Sequence, residues 1–530
     1  MPFYDALDAA DLKHILVRHE QGAAFAASGY ARMKNQPGVC VATSGPGATN
    51  LITGITDAAM DGIPLFVITG QVASPMLGTD AFQEAPIPDM VRPVVKYCKQ
   101  VTSPEQLLTA LPEAWKTATT GRPGPVLIDI TKDAQINQTD AAPNWTTLEK
   151  ESVALPTEDL TAATELLAAA KQPLILFGHG VHIAGASTEL AALMDKSSIP
   201  ATATLHGLSS LATTHPNYLG MAGMHGHLAA NAAIQDADVI LAVGMRFDDR
   251  LTGRVPDFAP NAKIIHVDID NRQIGKVVPP TIGINHDAKA VLAALVEAVP
   301  ALETTAWLEA LAAHREEEKA IVISEALKAT NDRPNMSFTL DALGSNREQA
   351  AIFISDVGQH QMSAARYLDL RSNDRLLNSG GLGTMGFALP AAVGAAVANQ
   401  DTERAVVAII GDGSFQMSMQ ELGTIAQEKL PVKILILNNN YLGMVRQWQE
   451  LFFARRYSHV DISSPDLAQI AAAYNIPYLR AEQTGEVGDA LAAFWAATGP
   501  VLLEVAVTKE ENIFPIVPSG ASLSEVKLTA

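Results

Sequence analysis

The chain has 530 residues, of which 48% are hydrophobic and 18% charged, with a formal net charge of −20. This composition excludes a disordered chain, and the acidic balance, with no basic stripe, excludes nucleic acid as a partner. Only two cysteines, Cys40 and Cys98, are present. With no secretory signal at the amino terminus and no apolar run long enough to span a bilayer, they predict a cytoplasmic, membrane-free protein without disulfides.

Apolar runs ending in Gly, Ser, Thr or Asn alternate with Ala-rich helical stretches along the whole length. In chain order they are Val39–Ala42, Leu65–Thr69, Val126–Ile130, Leu174–Phe177, Val239–Val243, Ile264–Ile269, Ala351–Ser355, Ala405–Ile410, Val432–Leu437 and Val501–Val505. Such alternation predicts α/β layers on parallel sheets. Polar connections at Asp133–Asp159 and Arg315–Asn335 divide the chain. The expected domains are 1–140, 158–300 and 345–510, each of ordinary size.

In the first third, Glu20 stands near the start of an Ala-rich helix, where a carboxylate suits the helix dipole. The stretch Thr43 to Asn50, TSGPGATN, ends a strand, turns at Gly-Pro-Gly and starts a helix at or near Ala48, bringing main chain close to any ligand. Gln71 closes the next run. In the middle third, Arg250 offers a planar guanidinium suited to a carboxylate, or an ordinary ion pair with Asp248 or Asp249. In the last third, Ala405–Ile410 breaks at Gly411-Asp412-Gly413, and Val432–Leu437 breaks at Asn438-Asn439-Asn440. A carboxylate and an amide oxygen at the carboxyl ends of parallel strands suit a hard cation that takes its remaining oxygens from a phosphate ligand. Met444, Val445 and Trp448 lie one helical turn apart, a stripe that usually faces a core.

The pairing of GDG with NN resembles the thiamine diphosphate motif, in which the residues matching Asp412, Asn439 and the main chain of Tyr441 hold Mg²⁺. The phrases RHEQGAA, TSGPGATN, GTDAFQE, GRPGPVLIDI, GMRFDDR, GQHQM and FPIVPSGAS together resemble the large catalytic subunits of the acetolactate synthase (acetohydroxyacid synthase) family, over nearly the full length. The resemblance implies an α/β chain of three doubly wound parallel-sheet domains: pyrimidine-binding, FAD-binding and diphosphate-binding. It implies that Glu20 drives the aminopyrimidine ring to its imino form, for which it should be desolvated. Gly45, Pro46, Asn50 and Gln83 would meet thiamine diphosphate from the first domain. Gln359 and His360 would donate to its diphosphate, with Gly413, Ser414 and Met444 nearby, and Gly383 and Met385 would lie in the loop beneath it. FAD would meet Arg122, Gly178, Gly180, His225, Arg246, Asp268 and Asp287. Substrate contacts would be Gln71, Phe82, Lys132, Arg250 and Trp448, the tryptophan favouring 2-ketobutyrate.

The implied activity decarboxylates pyruvate and joins the two-carbon unit to pyruvate or 2-ketobutyrate, an early step toward valine, leucine and isoleucine. Because Glu20 and Asp412 must reach opposite ends of one cofactor, a homodimer or homotetramer is expected, with a possible small regulatory subunit. Three departures stand out. The chain starts at MPFYDAL, where the family has a preceding strand–turn–helix unit, so the first domain is expected to be truncated at its amino end; Ser363 replaces a common Trp; and His179 interrupts a Gly triplet. Two alternatives are a truncated chain that binds cofactors without turnover, and another carboligase or decarboxylase such as glyoxylate carboligase, against which the presence of Glu20 counts.

Overall fold

A computed structural model describes residues 2–142, 153–328 and 332–530. Parts of both predicted connections, 143–152 and 329–331, lie outside the described residues.

The first sheet contains β1 (Gly38–Ala42), β2 (Leu65–Gln71), β3 (Tyr97–Val101) and β4 (Val126–Thr131), in the order β1-β2-β4-β3. The second contains β5 (Pro173–Phe177), β6 (Ala201–Ala203), β7 (Tyr218–Met221), β8 (Val239–Val243), β9 (Lys263–Val267) and β10 (Ile282–Ile284), in the order β10-β9-β8-β5-β6-β7. The third contains β11 (Ala351–Ser355), β12 (Arg375–Asn378), β13 (Ala405–Gly411), β14 (Val432–Asn438), β15 (Tyr478–Ala481) and β16 (Val501–Ala506), in the order β12-β11-β13-β14-β16-β15. Every pairing is parallel, as between β13 and β14, where Ile410 stands opposite Ile436. Crossover helices cover the faces, so the central strands are buried on both sides and read as continuous apolar runs.

All ten predicted runs fall on strands. The strands without such a run are β3, β6, β7, β10, β12 and β15. Five of these sit at sheet edges, and the sixth, β6, spans only Ala201–Ala203. An edge strand is half-solvated and carries mixed residues, as Tyr-Cys-Lys-Gln-Val does in β3.

The first and third domains are joined inside one chain by two helices, Glu20–Lys34 and Ala388–Ala398. Their axes approach closely because Gly29 lies on the Ala391 carbonyl and Gly394 on the Ala26 carbonyl, where a Cβ would overlap backbone. Phe25 crosses into the third domain's core and meets the Phe387 ring edge-on at 5.5 Å. Glu318, at the end of helix Thr305–Glu318, ties the second domain to the third by accepting from His227 Nδ1 at 3.0 Å and pairing with Arg366. Among the described residues no helix is long and apolar enough to cross a membrane. Gly394→Ala should destabilise the chain by about 1–3 kcal/mol, the usual cost of overpacking a filled interface. A lower urea midpoint checks this, and an unchanged midpoint contradicts it.

Candidate active site

The carboxyl ends of β13 and β14 place Asp412 and Asn439 side by side. Asp412 is buried at the start of helix Asp412–Ser418, and its Oδ2 accepts from Ser464 Oγ at 2.8 Å. Burial pushes its carboxyl up to about 6, against the pull of the Ser464 and backbone hydrogen bonds. Asn439 Oδ1 accepts from Tyr441 N at 3.0 Å, which leaves a second lone pair for a cation. These residues wall a cavity of about 60 Å³ with Gln359, His360, Gly413 and Ser414. Three buried polar atoms on it have no partner: Gln359 Oε1, His360 Nε2 and Asn439 Nδ2. Each costs about 1–3 kcal/mol while unsatisfied, so the cavity is built for a polar guest.

The donor set narrows that guest. Among the described residues no group of three or more His, Cys, Asp or Glu could hold a metal. One carboxylate, one amide oxygen and main chain fit a cation that takes the rest of its shell from a ligand, as Mg²⁺ does with phosphates. The expectation that Gln359 donates to an anion is not met. Its Nε2 is spent on Gln447 Oε1 at 2.8 Å and the Glu511 carbonyl at 2.7 Å, leaving the acceptor oxygen toward the cavity. His360 stays neutral because burial pushes it down to about 3.

Met385, Met444 and Val445 border both this small cavity and a second one of about 1580 Å³, so the two share a wall. Helix Gly443–Phe452 turns the usual pattern inside out. Its buried residues are the polar Arg446 and Gln447. Arg446 donates to the Glu511 carbonyl at 2.6 Å, and Gln447 Nε2 to the Ile513 carbonyl at 3.0 Å. The apolar stripe Met444, Val445 and Trp448 therefore faces the large cavity rather than a core. Arg250 reaches the same cavity but its side chain is 61% exposed, and its one ion pair among the described residues is to Asp249 at 3.5 Å. An exposed pair of that length holds the guanidinium weakly, so it is free to meet another carboxylate.

The large cavity also collects Arg122, Gly180, His225, Arg246, Asp268 and Asp287. Gly178 is the exception: it packs beneath Met245 and the Gly244 carbonyl, so its missing side chain serves strand packing. Asp268 is pushed up to about 6 by burial, and Arg122 and Arg246 pull it down. His225 Nδ1 is buried without a partner, and burial lowers that ring to about 4. Asp287 caps helix Ala288–Ala298 by accepting from Lys289 N at 3.0 Å. A wall of two guanidiniums, acids and an imidazole with one nitrogen left over fits a dinucleotide such as FAD. His179 adds a ring there, its Nδ1 donating to the Asp61 carbonyl at 3.0 Å.

Glu20 stands elsewhere. It is the first residue of helix Glu20–Lys34, where Asn50 Nδ2 donates to its Oε2 at 3.0 Å. Gly45, with φ +62, turns the chain under it and lies against the Gln83 backbone. Pro46 and Asn50 are exposed, and Phe82 is 89% exposed. Glu20 is half-buried rather than desolvated, and with Gly45, Gln83 and Phe82 it borders neither cavity. Gln71 is buried, donating to Asp129 Oδ2 at 3.1 Å, and Lys132 is exposed. Ser363 is fully buried, with its hydroxyl 3.3 Å from that of Ser337.

Sequence reasoning missed Glu421, which accepts from Arg18 N at 3.1 Å and so fixes the approach to Glu20. It also missed Ser464, Asp57, Asp61 and Asp356. Each acts on a residue far along the chain, and no local pattern marks them.

Comparison with known proteins gives three matches in order along the chain. Residues 1–90 match the N-terminal TPP binding domain of thiamine pyrophosphate enzymes, 160–295 their central domain, and 356–505 their C-terminal TPP binding domain. Over 527 residues the chain is 44% identical to the acetolactate synthase isozyme 2 large subunit of Escherichia coli, covering 99% of this chain and 94% of that one. It is 42% identical over 542 residues to the acetolactate synthase large subunit of Corynebacterium glutamicum, covering 99% and 86%. With the chloroplastic acetolactate synthase of Arabidopsis thaliana the identity is 39% over 548 residues, covering 99% and 80%.

A divalent cation at Asp412 must displace a proton whenever the pH lies below the raised carboxyl value of about 6. Cation affinity should therefore be flat above that pH and fall about tenfold per unit below it. Mn²⁺ titration followed by electron paramagnetic resonance from about pH 4.5 to about pH 8 checks this; an affinity independent of pH contradicts it.

Proposed function

The chain belongs to the acetolactate synthase family of thiamine pyrophosphate enzymes, and from that premise we propose that it condenses two 2-keto acids with loss of CO₂. Pyruvate is the donor; pyruvate or 2-ketobutyrate is the acceptor, giving 2-acetolactate or 2-aceto-2-hydroxybutyrate. The observation that carries the reading is the shared wall of the two cavities. A polar recess with three unpartnered atoms shares Met385, Met444 and Val445 as a wall with a large chamber lined by guanidinium groups and an apolar stripe.

When bound, thiamine diphosphate supplies the carbon nucleophile and the electron sink that decarboxylation of a 2-keto acid requires. Asp412, Asn439 and the Tyr441 carbonyl would hold Mg²⁺ against its diphosphate, with His360, Gly413 and Ser414 around it. Met385 and Gly383 would support the middle of the cofactor. Glu20 would hold the proton at the aminopyrimidine ring. Arg250 would orient the acceptor by its carboxylate, and positioning of this kind supplies much of a ligase's rate. Met444, Val445 and Trp448 would exclude water, which keeps the reactive carbon from protonation before the acceptor arrives. FAD would lie along Arg122, Gly180, His225, Arg246 and Asp268. No electron needs to cross it, because the condensation is redox-neutral.

We further propose that the working unit is at least a homodimer. Within one chain Glu20 borders neither cavity, while the Glu20 patch with Phe82 is open to solvent. A second copy placed with this patch over the Asp412 recess would complete the site and desolvate Glu20. A small regulatory subunit fits the "large subunit" designation of the bacterial relatives.

Purified enzyme given pyruvate, thiamine diphosphate, Mg²⁺ and FAD should form acetolactate, detected as acetoin after acid treatment, and omission of any one cofactor should abolish it. Release of acetaldehyde alone would contradict the ligase reading. Glu20→Gln should lower kcat by about 10²–10⁴-fold, the range for a positioned acid–base group, with cofactor affinity retained. Unchanged turnover would remove Glu20 from the mechanism.

A further inference from the structure

The loop 379–386 reads Ser-Gly-Gly-Leu-Gly-Thr-Met-Gly and lies between β12 and helix Ala388–Ala398. It carries Gly383 and Met385 and forms part of the cavity walls. Half of it is glycine, so its own sequence does little to hold one conformation. Three buried carboxylates supply that order. At its far end Asp356 accepts from Gly386 N at 2.9 Å and Ala388 N at 2.8 Å, both within the third domain.

Its near end is held from the first domain. Asp57 and Asp61 lie one turn apart on helix Ile52–Asp61. Asp57 Oδ2 accepts from Ser379 Oγ and, at 2.9 Å, from Thr384 Oγ1. Thr384 N closes the loop on Ser379 Oγ at 2.9 Å. Asp61 Oδ1 accepts from Gly381 N at 2.8 Å. Two buried carboxylates at this spacing repel each other. Arg32 offsets the repulsion at 2.7 Å from Asp61 and 3.8 Å from Asp57, and His206 Nε2 adds a contact to Asp61 at 2.9 Å. Simple adhesion between domains would be served as well by apolar groups. Directional acceptors aimed at the hydroxyls and N–H groups of one glycine-rich loop instead fix its shape.

We propose that Asp57, with Asp61 beside it, is a positioning residue for thiamine diphosphate: it clamps loop 379–386 across the domain boundary so that Met385 stands against the cofactor. This rests on the assignment of the cofactor site above. Asp61 lines the large cavity, whereas Asp57 reaches the cofactor only through the loop. Asp57 itself borders neither cavity.

The test is calorimetric titration of Mg²⁺–thiamine diphosphate into FAD-loaded enzyme, with FAD affinity measured separately by flavin fluorescence. Asp57→Ala should weaken thiamine diphosphate binding about tenfold or more, the scale of hydrogen bonds to a charged acceptor, with a smaller effect on FAD affinity. Asp57→Asn, which keeps one acceptor oxygen, should recover part of that loss. Thr384→Val removes one of the two hydroxyls from the same oxygen. It should weaken binding by about threefold, and it carries the test if Asp57→Ala does not fold. Unchanged thiamine diphosphate affinity in these variants would overturn the clamp, as would a fall in FAD affinity as large as the fall for thiamine diphosphate. Failure of the unsubstituted enzyme to bind thiamine diphosphate would overturn both the clamp and the site assignment.

Discussion

The contact between helices Glu20–Lys34 and Ala388–Ala398 constrains everything else in the molecule. Gly29 and Gly394 let the two backbones touch, and Phe25 is committed to the third domain's core. The first domain is therefore fixed to its own third domain along this seam, with Glu421 gripping the chain at Arg18. Glu20 heads the packed helix and is pinned beside that seam, away from the Asp412 recess. A chain so locked cannot swing Glu20 onto the carboxyl ends of its own β13 and β14 without dismantling a close-packed interface, which a folded domain resists. The proposed division of the site between copies would follow from a packing constraint far from the chemistry.

Polar groups buried at the domain junctions cluster around the cavities. Arg446 and Gln447 turn inward so that the apolar face of their helix lines the large chamber. Asp57 and Asp61 reach from the first domain to the loop beside it. Glu318 joins His227 and Arg366 just behind His225, whose carbonyl accepts from Arg366 at 3.1 Å. Buried charges stabilise little on balance, but they specify one arrangement because any other leaves a charge unpaired. Here that specificity is spent on the walls of two cavities.

Most of the fold was legible because most central strands are buried on both faces and read as long apolar runs; the edge strand β1 was also read, and the three-residue β6 was too short to mark. Edge strands such as β3, β12 and β15 were lost because solvent permits mixed residues. The strand-end positions of Asp412 and Asn439 were legible because each follows a buried strand that is apolar along nearly its whole length, Lys433 of β14 being the interruption. The stripe of Met444, Val445 and Trp448 was ambiguous, because periodicity reveals that a helix has two faces but not which one is covered. The half-buried state of Glu20 depends on what faces it, and no spacing encodes that. Asp57, Asp61 and Glu421 looked like ordinary helix residues, because their partners lie hundreds of positions away.

Mixing two inactive variants, Glu20→Gln and Asp412→Ala, tests the shared site most directly. If Glu20 of one copy serves Asp412 of the other, each mixed dimer regains one intact site, and random pairing restores about a quarter of unsubstituted activity. If both residues served one cofactor within a single chain, no mixture would contain an intact site, and the absence of recovered turnover after subunit exchange would contradict the division of the site.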